Sequence, residues 1–206
     1  PSFAADRAKV GRAYAAWDAG RGDGRDVFLA VSDDLGRTWQ APVAVSPARR
    51  GQFLPAVAAA PGGRVDVVFY DRRDDPEDVR AQVTMAASTD AGRTFRTATV
   101  SDAPFDTRIG FGSLQGIPVL GSRLAVHAGT DRSLAFWSDT SRGTIDDNVQ
   151  DLAVAGVDVE EAGRRRPALM VLGAVLLGLG GVLLGLGGGL VAVVRLRPGH
   201  RRPQQA

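Results

Sequence analysis

The 206-residue sequence predicts an all-β unit over residues 1–157, followed by a single C-terminal transmembrane α-helix over 168–194. Three observations carry this. Short apolar runs of strand length recur between clusters of Gly, Pro, Asp and Ser. No segment of about ten or more residues in that part holds the 3.6-residue apolar period of a helix. Finally, Ala168–Val194 runs for 27 residues without one charged or polar side chain.

Taken in chain order, strands are expected at Ala13–Trp17, Val27–Ser32, Val43–Ser46, Val65–Tyr70, Gln82–Ser88, Thr97–Ser101, Leu124–Ala128 and Leu134–Trp137. Residues 158–167 then read as a stalk. At ~1.5 Å per residue the apolar run reaches ~40 Å, more than the ~30 Å of hydrocarbon in a bilayer. Its eight Gly would make a poor helix in water and are tolerated in lipid, where the backbone must bond internally. Gly181, Gly185 and Gly189 form a small-residue stripe on which two such helices can approach, giving a homo-oligomer contact. Four Arg in the tail 195–206 outnumber Arg164, Arg165 and Arg166 before the span. The basic tail is therefore expected in the cytoplasm and residues 1–157 outside, in a single-pass cell-membrane protein.

Composition removes several classes of function. The chain has 25 Lys+Arg against 23 Asp+Glu and no Cys, which excludes disulfides, zinc–thiolate sites and a cysteine nucleophile. With only His127 and His200 there is no His-rich metal cluster, and neither a metal nor a cofactor is expected. No acidic residue follows Glu161, so the basic surplus belongs to the tail and does not make a nucleic-acid surface. The acidic run Asp71, Asp74, Asp75, Glu77, Asp78 lacks the Gly-centred spacing of a calcium loop and reads as a solvated loop. His127, within an apolar run, reads as a hydrogen-bonded core residue.

Two octets repeat. Ser32-Asp33-Asp34-Leu35-Gly36-Arg37-Thr38-Trp39 and Ser88-Thr89-Asp90-Ala91-Gly92-Arg93-Thr94-Phe95 share Ser-x-Asp-x-Gly-x-Thr-aromatic, with matching positions 56 residues apart. The Asp carboxylate suits the amides of a hairpin turn, Gly supplies a positive φ, and the aromatic can pack on the sheet. Ser32, Asp34, Gly36, Thr38, Trp39, Ser88, Asp90, Gly92, Thr94 and Phe95 are thus expected to be structural. These octets resemble the Asp-boxes of the sialidase-like BNR-repeat propellers. The likeness extends to Pro1–Asp6 before the first octet, to Leu54-Pro55-Ala56-Val57 before the second, and to a degenerate copy over about 114–157 with Trp137-Ser138-Asp139. It implies a partial β-propeller of about three four-stranded blades. Because three blades leave two open edges, we expect the C-terminal half of a longer protein; the rival is a short chain that completes its ring with a second copy.

The resemblance also implies chemistry. Sialidases hold a sugar carboxylate with three Arg, use an Asp as acid/base, and attack with a Tyr assisted by a Glu, at the end of the ring opposite the Asp-boxes. Trp17-Asp18, Tyr70-Asp71-Arg72-Arg73 and Trp137-Ser138-Asp139 with Arg142 end the expected second strands, so their side chains are expected around that mouth. Carried over residue by residue, Asp71 becomes the acid/base and Tyr70 with Glu77 the nucleophilic pair. Arg72, Arg73, Asp139 and Arg142 become substrate ligands, since a guanidinium can hold a carboxylate through two parallel bonds. The family's Arg-Ile-Pro strand is absent, Arg108-Ile109-Gly110 being a partial echo. The alternative is that these Asp and Arg form ion pairs that order loops. Function is accordingly expected to be that of a membrane-anchored glycoside hydrolase of sialidase type acting on glycans, or a non-catalytic surface propeller binding glycans or proteins.

Overall fold

A computed structural model of the chain describes residues 1–21, 24–110, 120, 124–158 and 192–196. They form antiparallel sheets in simple meander order. Blade 1 consists of β1 (Ser2–Ala5), β2 (Ala13–Arg21), β3 (Gly24–Ser32) and β4 (Val43–Ala44). Blade 2 consists of β5 (Gln52–Ala59), β6 (Val65–Asp71), β7 (Arg80–Ser88) and β8 (Arg96–Thr99), with the short β9 (Phe105–Asp106) paired to the start of β7. Blade 3 consists of β10 (Ala125–Ala128), β11 (Arg132–Asp139), β12 (Asp151–Asp158) and β13 (Ala192–Leu196). The architecture is all-β and propeller-like: first strands β1, β5 and β10 are neighbours, and the sheets pack face to face.

Two apolar layers hold the blades together. Between blades 1 and 2 lie Tyr14, Val27, Leu29 and Val31 against Val65, Val67 and Phe69. Between blades 2 and 3 lie Val68, Val83 and Met85 against Ala135, Trp137 and Ala155. Each fully buried large side chain contributes ~1.5–3 kcal/mol. Blade 2 is covered on both faces, and every residue of β6 is buried. That strand is therefore largely apolar rather than alternating, with Asp66 and Asp71 buried among its apolar residues.

Both octets close the same turn, between β3 and β4 and between β7 and β8. Ser32 Oγ donates to Asp34 Oδ1 at 2.8 Å, Thr38 N to Asp34 Oδ1 at 2.8 Å, and Thr38 Oγ1 to Asp34 Oδ2 at 2.6 Å. Ser88, Asp90 and Thr94 repeat these bonds at 2.7, 2.9 and 2.6 Å. The turn needs two successive left-handed residues: Leu35 (φ 64°) with Gly36 (φ 82°), and Ala91 (φ 61°) with Gly92 (φ 82°). Phe95 packs against the core between blades 1 and 2. Its counterpart Trp39 does not pack in this way and is 42% exposed, because no blade among the described residues covers the equivalent surface of blade 1.

The C-terminal expectations lie largely outside the described residues: the stalk after Asp158, the span over 168–191 with Gly181, Gly185 and Gly189, and the tail from 197. Ala192–Val194, read as the end of the helix, instead begin β13, with Val154 opposite Val194 in the ladder. The outer edge of β12 offers unpaired backbone groups, and the β-branched Val193 and Val194 suit a strand. Among the described residues no helix is long and apolar enough to cross a membrane.

Candidate functional site

The loops joining second to third strands gather at the end of the blades away from the octets. Alternation along β6 sends its last two residues to opposite faces. Tyr70 turns toward blade 3, where it stacks on Phe53 at 5.3 Å and meets Phe105 edge-on at 6.0 Å. Its hydroxyl accepts from Ser138 N at 3.1 Å and lies 3.4 Å from Ser138 O, to which it donates. Burial pushes its pKa up to about 12, and a neutral, fully engaged phenol is a poor nucleophile. Glu77 is exposed on the 72–79 loop; its N–H donates to Asp75 Oδ1 at 3.4 Å.

Asp71 turns toward blade 1 and is 3% exposed. It accepts from Arg73 N at 3.0 Å, Arg73 Nε at 2.6 Å, Thr84 Oγ1 at 3.2 Å and Gln52 Nε2 at 3.4 Å. Arg73 Nη2 reaches on to Ser46 Oγ at 2.6 Å, and Gln52 Nε2 donates to Ser46 O at 2.6 Å. This network ties the chain leaving blade 1 to the end of blade 2. Arg72 lies over the Phe53 ring at 4.6 Å and donates to Thr107 Oγ1 at 2.7 Å. In blade 3, Asp139 is buried and accepts from Ser141 N at 2.8 Å. Arg142 grips Asp151 with Nε at 2.6 Å and Nη2 at 2.5 Å.

The expected site residues are therefore distributed over two seams rather than one mouth, and most of their charge is spent on protein partners. Tyr70 and Trp137 are fully buried in the core, while Asp18 pairs with Arg25 across the β2–β3 hairpin at 2.5 Å. His127, expected in the core, is exposed, because strand alternation turns it to the outer face of blade 3. Among the described residues no group of three or more His, Cys, Asp or Glu is placed to hold a metal ion.

What the loop end does form is a depression of about 170 Å³ lined by Asp71, Asp74, Asp75, Arg80, Gln82 and Pro104. Asp71 is its most deeply buried wall residue, and Gln82 stands opposite it in the β6–β7 ladder. Asp75 Oδ2 accepts from Arg80 N and Val79 N, both at 2.6 Å. These bonds fold the loop around the carboxylate and hold its pKa below the usual carboxylate range. Arg80 Nη2 donates to Pro104 O at 3.1 Å, which fixes the opposite wall. Arg80 and Gln82 carry no motif in the sequence; the available signal is a polar Gln at the start of the expected strand Gln82–Ser88. The set offers acceptors, an amide, one guanidinium and a small apolar surface, which is the chemistry needed to hold a polyhydroxylated ligand.

No family model matches the chain, nor does any curated protein. Among solved structures it is similar to an endo-arabinase of Bacteroides thetaiotaomicron, with 14% identity over 73% of this chain and 54% of that one and a TM-score of 0.44. It is also similar to an α-L-arabinofuranosidase of Fusarium graminearum in complex with an iminosugar inhibitor, with 15% identity over 75% and 44% and a TM-score of 0.43. The chain spans about half the length of these two structures.

Proposed function

We propose that this chain is the glycan-binding part of a membrane-anchored, extracytoplasmic propeller of the sialidase-like kind. The observation that carries the reading is the polar depression at the loop end of blade 2, with Asp71, Asp74, Asp75, Arg80 and Gln82 converging on one hollow. The paired Asp-box turns support the sialidase-like architecture. Binding is favoured over hydrolysis by this chain's own residues, because the Tyr70 hydroxyl is committed to Ser138 and the Asp71 carboxylate to Arg73. A glycan array probed with the full chain in nanodiscs tests the proposal: saturable capture of defined oligosaccharides, weakened by Gln82→Ala, is expected, and capture of none would refute it. Release of sugar from sialosides at acidic to neutral pH by the same preparation would overturn the non-catalytic part.

The uncharged run 168–194 supports attachment to a bilayer. A single crossing carries Ala192–Leu196 away from β12, so the crossing and the β12–β13 ladder exclude one another. Cysteines placed at Val154 and Val194, opposite each other in that ladder, separate the two arrangements in native membranes. For the anchored protein we expect position 194 to be labelled from the cytoplasmic side; a 154–194 disulfide would overturn the crossing.

A further inference from the structure

We infer that the depression on blade 2 selects uncharged sugars and rejects sugars bearing a carboxylate, a specificity that rests on the glycan-binding reading above. Three carboxylates line the hollow, but Asp71 is already paired with Arg73, which leaves Asp74 and Asp75 against the guanidinium of Arg80. The other nearby guanidiniums are spent on partners of their own. Arg73 gives Nε and Nη2 to Asp71 and Ser46, and Arg72 is held over Phe53 and against Thr107. Arg142 sits on blade 3, with its Nε and Nη2 on Asp151. Arg108, on the chain just beyond Pro104, is paired with Asp106 at 2.7 Å. The remaining Arg80 already donates to the Pro104 carbonyl.

An entering carboxylate thus meets Asp74 and Asp75 with Arg80 alone to receive it, and like charges brought close together repel. A neutral sugar meets no such penalty. Its hydroxyls can donate to Asp74 and Asp75, exchange bonds with the Gln82 amide, and accept from Arg80, while a C–H face rests on Pro104. The volume of about 170 Å³ is well below that of pockets for drug-sized ligands and suits one sugar ring.

The test compares a glucoside with its matching glucuronide, ligands that differ by one carboxylate, by calorimetry on the full chain in nanodiscs. The glucoside is expected to bind at least ~10-fold more tightly at low salt, with the ratio shrinking as ionic strength rises. Asp74→Asn, on an exposed loop residue, should lower the ratio, and Arg80→Gln should raise it. Equal or tighter binding of the glucuronide would overturn the inference while leaving the glycan-binding reading intact. Ratios unmoved by both variants would also overturn it, since the sugar would then lie elsewhere. Binding of neither ligand, together with an empty glycan array, would remove the glycan-binding reading itself.

Discussion

Replacing Arg64 by alanine removes the most heavily bonded guanidinium between blades 2 and 3. Arg64 is 6% exposed and Asp66 is fully buried. Arg64 Nε and Nη2 donate to the Asp66 carboxylate at 2.9 and 3.1 Å. Nη1 donates to Thr130 O at 2.9 Å, and Nη2 also reaches Gly129 O at 2.7 Å and Ser133 Oγ at 2.9 Å. Ser133 Oγ closes the network by donating to Asp66 Oδ2 at 2.5 Å. In Arg64→Ala the Asp66 carboxylate stays buried with the Ser133 hydroxyl as its remaining side-chain donor, and the two turn carbonyls lose their guanidinium donors. Breaking one side of a buried ion pair costs ~3–5 kcal/mol, a large share of the ~5–15 kcal/mol that holds a domain together. Removing both partners in Arg64→Met/Asp66→Leu should cost far less than the two single changes added, because no charge is left stranded. Urea denaturation of the full chain in detergent measures both quantities, with the buried Trp137 reporting separation of the same two blades. A single-variant cost below ~1 kcal/mol, or strict additivity in the double variant, would refute the idea that this pair clamps the blades.

Asp90→Ala strips the second octet of the acceptor for Thr94 N, Thr94 Oγ1, Arg93 N and Ser88 Oγ and should cost ~1–3 kcal/mol by denaturation, with sugar affinity unchanged. Desolvation would raise the Asp90 pKa, but the bonds from Thr94 and Ser88 outweigh it and hold it at about 2 against 3.8. The contribution is therefore fully present above pH 3.8 and is lost as pH falls toward about 2; the variant should flatten stability against pH in that window. Gly92→Ala should destabilise more than Gly36→Ala when the two are melted side by side. Both sit at φ 82°, but a Cβ at 92 collides with the Leu29 side chain, whereas one at 36 meets only the Trp39 ring at 3.8 Å. Tyr70→Phe should cost ~1 kcal/mol through the lost bonds to Ser138 and leave glycan binding untouched; a loss of binding in a protein that remains stable would return Tyr70 to the site.

The octets were legible in the sequence because their chemistry is local: Asp34 and Asp90 bond groups within four residues of themselves. Hairpin strands were legible for the same reason, each bounded by turn residues. The sequence did not reveal that Tyr70 and Asp71, adjacent in the chain, serve opposite seams. That depends on which neighbouring blade covers each face of β6. Nor did it reveal the hollow, whose walls run from Asp71 to Pro104 and meet only when β7 folds back on β6 and the 72–79 loop curls around Asp75. His127 and Trp39 show the same division. Apolar neighbours in sequence suggest burial, but exposure is decided by whether another sheet lies against that face. Most hairpin strands and both octet turns follow from residues a few positions apart, whereas β12 and the strand at Ala192–Leu196 are not among the strands expected from the sequence. What the fold adds is the distant partners: Ser46 on Arg73, Thr130, Gly129 and Ser133 on Arg64, and Ser138 on the buried Tyr70, all from a neighbouring blade. The hollow, with its carboxylates, likewise closes only when β7 pairs with β6, because these groups lie far apart in the chain and only folding brings them within reach.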